Sequence, residues 1–411
     1  MILNRSRPGA RACEACSVAA AALLLGGCAL QPAHVAPDLK APAAWSVGAA
    51  AGQNASPVDT WWRALGDPAI DALTEAAFAD SPTLAQAAAR IDEAGAALSV
   101  SSAARLPSVT ADASLTRAKS LSGSSQSGSA TSLSTSASLG PRLSWEIDLF
   151  GRLRQSVDAA RSRLDARAAD AAAVRLALAA NVANGVLSLR ACENSRRVSA
   201  EDIASREKTL ALTRLRLQTG FAAPADEARA VAGIASSRTQ LATQVEQCAR
   251  DVNALVALSG LTSAQVRDRV GVSNREPSPV PMPQAPQAAP ELPATVLARH
   301  PDVVSAEREV AAAWADIGVA RADRLPRLDL AAVLTGQWIR AAGSTLNATT
   351  WSLGPSLTGT LFDGGAGAAN VDAAQARYRR AVASLQGTLR SSVQDVENAL
   401  AAQASAKARV V

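Results

Sequence analysis

Two stretches of the chain alternate strictly between apolar and polar residues, and each is flanked by long stretches of helical period. After Asp67-Pro68, the residues Ile70, Leu73, Ala77 and Leu84 recur at helical spacing. This predicts a helix to about Ala104, with a break at Ser81-Pro82. The period then drops from 3.6 to 2. Val109, Ala111, Ala113 and Leu115 alternate with Thr110, Asp112, Ser114 and Thr116, and Ser120 to Ala130 forms a Gly/Ser-rich tip. On the return, Ala137, Leu139, Leu143, Trp145, Ile147 and Leu149 share one face. Ser136, Ser138, Arg142, Ser144, Glu146 and Asp148 share the other. From Phe150-Gly151 the helical period resumes and holds to Gln218-Thr219-Gly220, a length of about 100 Å at the helical rise. Thr219 to Pro224 reads as a turn, and a second helix returns to Ser259-Gly260.

The plan then repeats. Leu139-Gly-Pro141 and Val157-Asp-Ala-Ala160 recur as Leu353-Gly-Pro355 and Val371-Asp-Ala-Ala374, both at an offset of 214. Arg105-Leu-Pro107 recurs as Arg324-Leu-Pro326 at an offset of 219, the difference being a loop insertion. In the second copy Leu328, Leu330, Ala332, Leu334 and Trp338 oppose Arg327, Asp329, Thr335 and Gln337. Trp351, Leu353, Leu357 and Leu361 oppose Ser352, Ser356, Thr358 and Thr360. The organisation is a duplicated helix–strand–strand–helix module. Residues 1–27 form a signal peptide, 28–66 an extended segment, 67–262 the first repeat, 263–293 a Pro-rich linker and 294–411 the second repeat.

Alternation over about ten residues suits a membrane strand, apolar toward lipid and polar toward a lumen. A soluble antiparallel sheet with one wet face has the same pattern. A count narrows the first reading. Four strands cannot close a barrel whose smallest members have eight, and an open edge in hydrocarbon leaves backbone groups unpaired. Membrane-spanning strands would therefore have to be pooled among several chains. Arg142, Glu146, Asp148, Arg327 and Asp329 are the lumen-facing candidates.

The N-terminus supplies an address. Arg5, Arg7 and Arg11 precede the apolar run Val18 to Leu25, then Gly26-Gly27-Cys28, the layout of an export signal. Leu25-Gly-Gly-Cys28 resembles a bacterial lipobox, in which Cys28 would be acylated and become the mature N-terminus. Cys192 lies 28 residues before Gly220 and Cys248 lies 28 after it, so an antiparallel hairpin sets them side by side. A disulfide between them is expected in an oxidising compartment; two buried free thiols are the alternative. Composition removes other classes. Of 411 residues 48% are hydrophobic but only 3% aromatic, which favours helices closely packed through Ala. Two histidines, His34 and His300, leave little for metal or His-based catalysis, and no metal or cofactor is expected. No catalytic constellation stands out, so the chain reads as a non-enzyme. A net charge of +5 is too diffuse for nucleic acid.

The motifs Trp61-Trp62-x-x-Leu65-Gly-Asp-Pro68, Ser144-Trp-Glu-Ile-Asp-Leu-Phe-Gly-Arg152 and Arg299-His-Pro-Asp302 resemble those of one family. Ala306-Glu-Arg308 and Ile317-Gly-Val-Ala320 extend the match. The family is the TolC-like outer-membrane channels of tripartite drug-efflux pumps, in its lipoprotein branch. His300 stands where the family usually has Arg. The resemblance implies an α+β membrane protein, a homotrimer sharing one twelve-stranded barrel continued by a helical periplasmic tunnel. It also implies anchorage in outer-membrane lipid, a periplasmic adaptor protein and an inner-membrane RND transporter as partners. In the family the periplasmic constriction depends on acidic residues near the second helical tip; Asp226 lies near the corresponding first tip and is the only tip-region candidate. The counterpart of residues 198–261 is missing from the second copy, so a truncated or frameshifted chain is expected. The helix from about Gly365 would then leave Val382, Leu385, Leu389, Val393 and Val396 partly exposed. A lipid-anchored coiled-coil adaptor or scaffold, or a type I secretion duct, are the rival readings.

Overall fold

A computed structural model of the chain describes residues 42–46, 58–122, 130–272, 279–283, 293–341 and 343–410. The signal segment, Cys28, the centre of the Gly/Ser-rich tip and most of the Pro-rich linker lie outside the described residues. The described residues fall into two units. One takes Asp92–Ala166 and Val303–Arg390; the other takes the remainder.

The second of these units is helical. A 3-10 turn at Val58–Leu65 leads to α1 (Pro68–Asp80), and Ser81-Pro82 separates α1 from α2 (Pro82–Ala103). The long helix α3 spans Arg152–Gln218, and α4 (Pro224–Ser259) returns after a turn at Gly220. α5 is Ser263–Val270 and α6 is Pro293–Arg299. The core is drawn from short spacings on each helix. Ile70, Leu73 and Ala77 of α1 meet Ala179, Val182, Ala183, Val186 and Leu189 of α3, with Val252 and Leu255 of α4. Small residues decide how closely the long helices approach. A Cβ on Gly185 would lie 2.7 Å from Leu255 Cδ2, so a side chain there would displace the leucine.

One buried ion pair ties the start of α1 to the middle of α3. Asp67 caps α1, its Oδ1 accepting from the Ala69 amide at 2.9 Å. The same carboxylate receives both terminal nitrogens of Arg190, with Arg190 Nη2 to Asp67 Oδ1 at 3.0 Å. Arg190 Nη1 also donates to the Pro281 carbonyl at 3.0 Å. One turn on, Asn194 exchanges two hydrogen bonds with the Val280 backbone, at 2.9 and 3.1 Å. The linker segment 279–283 is thus laid against α3 both by these polar groups and by Val280, which is buried in the apolar core. Trp62 is 5% exposed and meets Phe78 edge-on, with the Arg175 guanidinium 4.0 Å above the Phe78 ring.

The first unit carries the sheet and, of the second repeat, Val303–Arg390. α7 (Pro301–Ala322) leads into β3 (Arg327–Ala341), β4 (Ser344–Thr358) and α8 (Ala366–Val410). β1 (Ser108–Ser122) and β2 (Ala130–Ile147) come from the first repeat. The order is β1-β2-β3-β4, antiparallel throughout. Leu385 and Leu389 of α8 are buried, against the expectation of exposure, whereas Val382, Val393 and Val396 are half-buried.

Truncating Asp67 or Arg190 to Ala should destabilise the helical unit by about 3–5 kcal/mol, because each leaves the other charge buried and unpaired. Thermal unfolding followed by circular dichroism checks this; a loss under about 1 kcal/mol would show that the pair is not what holds α1 to α3.

Candidate functional site

The register fixes which side chains share a face of the sheet. Residues directly opposite one another in an antiparallel pair point the same way. Glu146 opposes Asp329, which opposes Ser356; Arg142 opposes both Thr110 and Val333. That face continues through Ser138, Ser114, Gln337 and Thr335. The other face carries Trp145, Leu330 and Pro355 in one row, Val109, Leu143, Ala332 and Leu353 in another, then Ala111, Leu334 and Trp351. Much of this face is exposed, with Leu115 at 76%, Trp351 at 77% and Leu357 at 66%, while Leu143, Trp145 and Leu330 are half-buried. A patch of this kind is far larger than the scattered apolar residues of a soluble surface. From Leu328 to Trp338 the band rises through ten residue steps, about 33 Å along the strand. A tilt near 40° reduces that to about 25 Å, the height of a barrel's lipid-facing belt.

The two outer strands, β1 and β4, each have one neighbour in the sheet. The inner pair shows how tightly such strands can join. A Cβ on Gly140 would fall 1.8 Å from the Leu334 carbonyl oxygen, so only glycine fits there. Pro141, without an N–H, follows at the point where the β2–β3 ladder is interrupted between Leu139 and Arg142. Gly354-Pro355 is the same motif on the edge strand, and nothing lies within 4 Å of a Cβ on Gly354.

Of the five lumen candidates, Arg142, Glu146, Arg327 and Asp329 lie on the polar face, where Arg142 pairs with Asp112 at 3.5 Å. Asp148 is the correction. It follows the end of β2, and its carboxylate accepts from the Leu153 and Arg154 amides at 3.2 and 2.8 Å, capping α3. Sequence alternation continued through this residue, but the chain had already left the strand. A linked cluster escaped the sequence reading. Arg152 binds Glu146 at 2.6 Å and approaches Asp323 at 3.9 Å, while Arg327 binds Asp323 at 2.7 Å. It joins the first repeat to the second where strands give way to helices. The hydrogen bond to Glu146 raises the pKa of the Arg152 guanidinium above its ordinary value. At the corresponding start of α8, the amides of Gly367 and Gly365 hold the exposed Asp363 carboxylate below its ordinary range. That cap is present at neutral pH and is lost only as pH falls through this lowered value.

At the far end of the long helices, Asp226 accepts from the Ala223 amide at 3.1 Å and from Arg229 at 2.8 Å. Glu227 reaches across the turn to Arg214 at 2.8 Å. Cys192 of α3 and Cys248 of α4 stand 5.6 Å apart at Cα with their sulfurs joined. Among the described residues no cluster could hold a metal ion.

Residues 73–261 and 292–410 match the model of the outer membrane efflux protein family. The chain belongs to that family. It is 32% identical over 390 residues to the pyoverdine export outer membrane protein OpmQ of Pseudomonas aeruginosa, covering 93% of this chain and 80% of that one. It is 32% identical over 387 residues to outer membrane protein OprJ of the same species, covering 93% and 79%. Its fold matches the outer-membrane channel OprN with a TM-score of 0.80 at 26% identity, covering 92% of this chain and 84% of that one. This efflux protein therefore has the fold of an outer-membrane channel. It serves as an exit duct in the outer membrane, and its relatives are channel proteins.

Non-reducing peptide mapping should recover Cys192 linked to Cys248, and a Cys192→Ala/Cys248→Ala double variant should lose about 2–4 kcal/mol of stability. Recovery of both cysteines as alkylatable thiols from the exported protein would contradict the pairing.

Proposed function

We propose that three copies of the chain share one twelve-stranded barrel, which conducts small molecules passively across the outer membrane. The observation that carries this reading is the four-stranded sheet itself: one face apolar and exposed, and both edges open. In this reading the face of Arg142, Glu146, Arg327 and Asp329 lines the lumen, and the repeats 67–262 and 294–411 each give one hairpin to the barrel. α3 and α4 extend into the periplasm, where the tip around Asp226 meets a periplasmic adaptor. An inner-membrane RND transporter drives the flow. Cys28, acylated, anchors the chain to the inner leaflet. The duct performs no covalent chemistry on its cargo, and a lumen rich in Ser and Thr filters weakly.

Internal duplication supplies the register between copies. Offsets of 219 and 214 carry β3 back to β1 and β2 forward to β4. The pair Arg142–Val333 then becomes Ser356 against Ser114 of the next copy, and Leu139–Gly336 becomes Leu353 against Arg117. Every such pair keeps polar with polar face. Gly354 then meets the neighbour's Leu115 carbonyl, as Gly140 meets Leu334 within the chain.

Two experiments test this. Reconstituted wild-type protein should give discrete conductance steps in a planar bilayer. Gly354→Val should leave the single chain folded yet weaken assembly by about tenfold per junction, the effect of overpacking by 1–3 kcal/mol. Equal assembly of the variant, or wild-type protein without conductance, would oppose the proposal.

A further inference from the structure

The outward face of the sheet changes character at its tip end. Below, it is apolar; above, in consecutive positions, it carries Arg117 and Lys119 on β1 and Arg340 on β3. Thr135 lies directly opposite both Arg117 and Arg340, so the two arginines share a row two strands apart, about 10 Å. Lys119 stands two residues further toward the tip, opposite Leu133, which is itself 50% exposed. Trp338 precedes Arg340 on the same face. All three cations are exposed, and none forms an ion pair among the described residues.

Carboxylates are absent from this end of both hairpins. The sequence has no Asp or Glu between Asp112 and Glu146, nor between Asp329 and Asp363. The acids the sheet does carry, Asp112, Glu146 and Asp329, are on the polar face and toward the helices. Every charged side chain of the outward face above its apolar belt is thus a cation. Exposed cations in a water-filled loop would face any direction. These share the face of Leu115, Leu133 and Trp338, so their stems lie along lipid while their heads reach the interface.

We propose that Arg117, Lys119 and Arg340 form a binding site for a phosphorylated lipid headgroup of the outer leaflet. The proposal rests on the membrane placement given under Proposed function, with the strand tips external and the helices periplasmic. Two guanidinium forks about 10 Å apart at one height, with an ammonium two residues nearer the tip, suit a headgroup bearing more than one phosphate. Apolar rows beneath them receive its acyl chains, so the site reads charge and hydrocarbon together. Each assembled barrel carries the site three times.

The test uses the full chain, purified as the assembled oligomer in a neutral detergent. Binding of a bis-phosphorylated outer-leaflet glycolipid is measured by native mass spectrometry, beside its dephosphorylated form and phosphatidylethanolamine. Wild type should retain the phosphorylated lipid, and the Arg117→Gln/Lys119→Gln/Arg340→Gln variant should bind it about 100-fold more weakly, at roughly tenfold or less per cation. Oligomer mass and bilayer conductance of the variant should stay at the wild-type level, which separates this site from assembly. Equal retention of the dephosphorylated lipid, or unchanged binding by the variant, overturns the proposal. Displacement of the lipid by millimolar inorganic phosphate overturns the assignment to a lipid, leaving a simple anion site. Failure of the wild type to insert into a bilayer overturns the membrane placement, and the headgroup site with it.

Discussion

An unpaired backbone amide or carbonyl in hydrocarbon has no water to turn to, and each one costs several kcal/mol. The sheet of this efflux protein has fifteen-residue strands at both edges, β1 and β4, and a face built from Trp, Leu and Val for contact with lipid. Those two facts are incompatible in a single chain. Almost every other feature of the molecule can be understood from the way the conflict is resolved. In the proposed barrel, the alternation of side chains sorts lipid from lumen, and duplication places compatible edges at both ends of the sheet. Gly354 keeps space on an open edge, whereas the equivalent Gly140 is already filled by backbone.

The helical unit obeys a different economy. Helices as long as α3 are not held by propensity alone; they need a continuous seam. Small residues supply it, with Ala179, Ala183 and Gly185 allowing Leu255 and its neighbours to close in. Such a seam is slippery, because Ala against Ala fixes little about register. The specific groups are few and spaced out: the Asp67–Arg190 pair, the Cys192–Cys248 bridge and the Arg214–Glu227 contact at the tip. Each joins two elements at one height. Together they define a register that the apolar surface leaves loose.

Much of this was legible in the residues. The period of two, the repeat offsets and the turn at Gly220 are local properties, and they locate the strands, the duplication and the cysteine pair. What escaped depended on distance or on a boundary. Asp67 and Arg190 are 123 residues apart, and neither carries a local sign that it is buried with the other. Asp148 sits one residue beyond a strand and just before a helix, where alternation and capping call for the same carboxylate. The cluster of Glu146, Arg152, Asp323 and Arg327 needs both repeats in place before its charges can be matched. Leu385 and Leu389 show the same limit in reverse: a helical face can be read, but not what covers it.

The central claim is that the edges of the sheet are completed by other copies of the same chain, in the register set by the internal repeat. Oxidative cross-linking of a Ser114→Cys/Ser356→Cys variant in the membrane tests it most directly. The account predicts a ladder of linked species ending at three chains, with no such ladder when Ser356→Cys is replaced by Thr350→Cys. A variant that stays monomeric under oxidation, or that cross-links equally well at both positions, would contradict it.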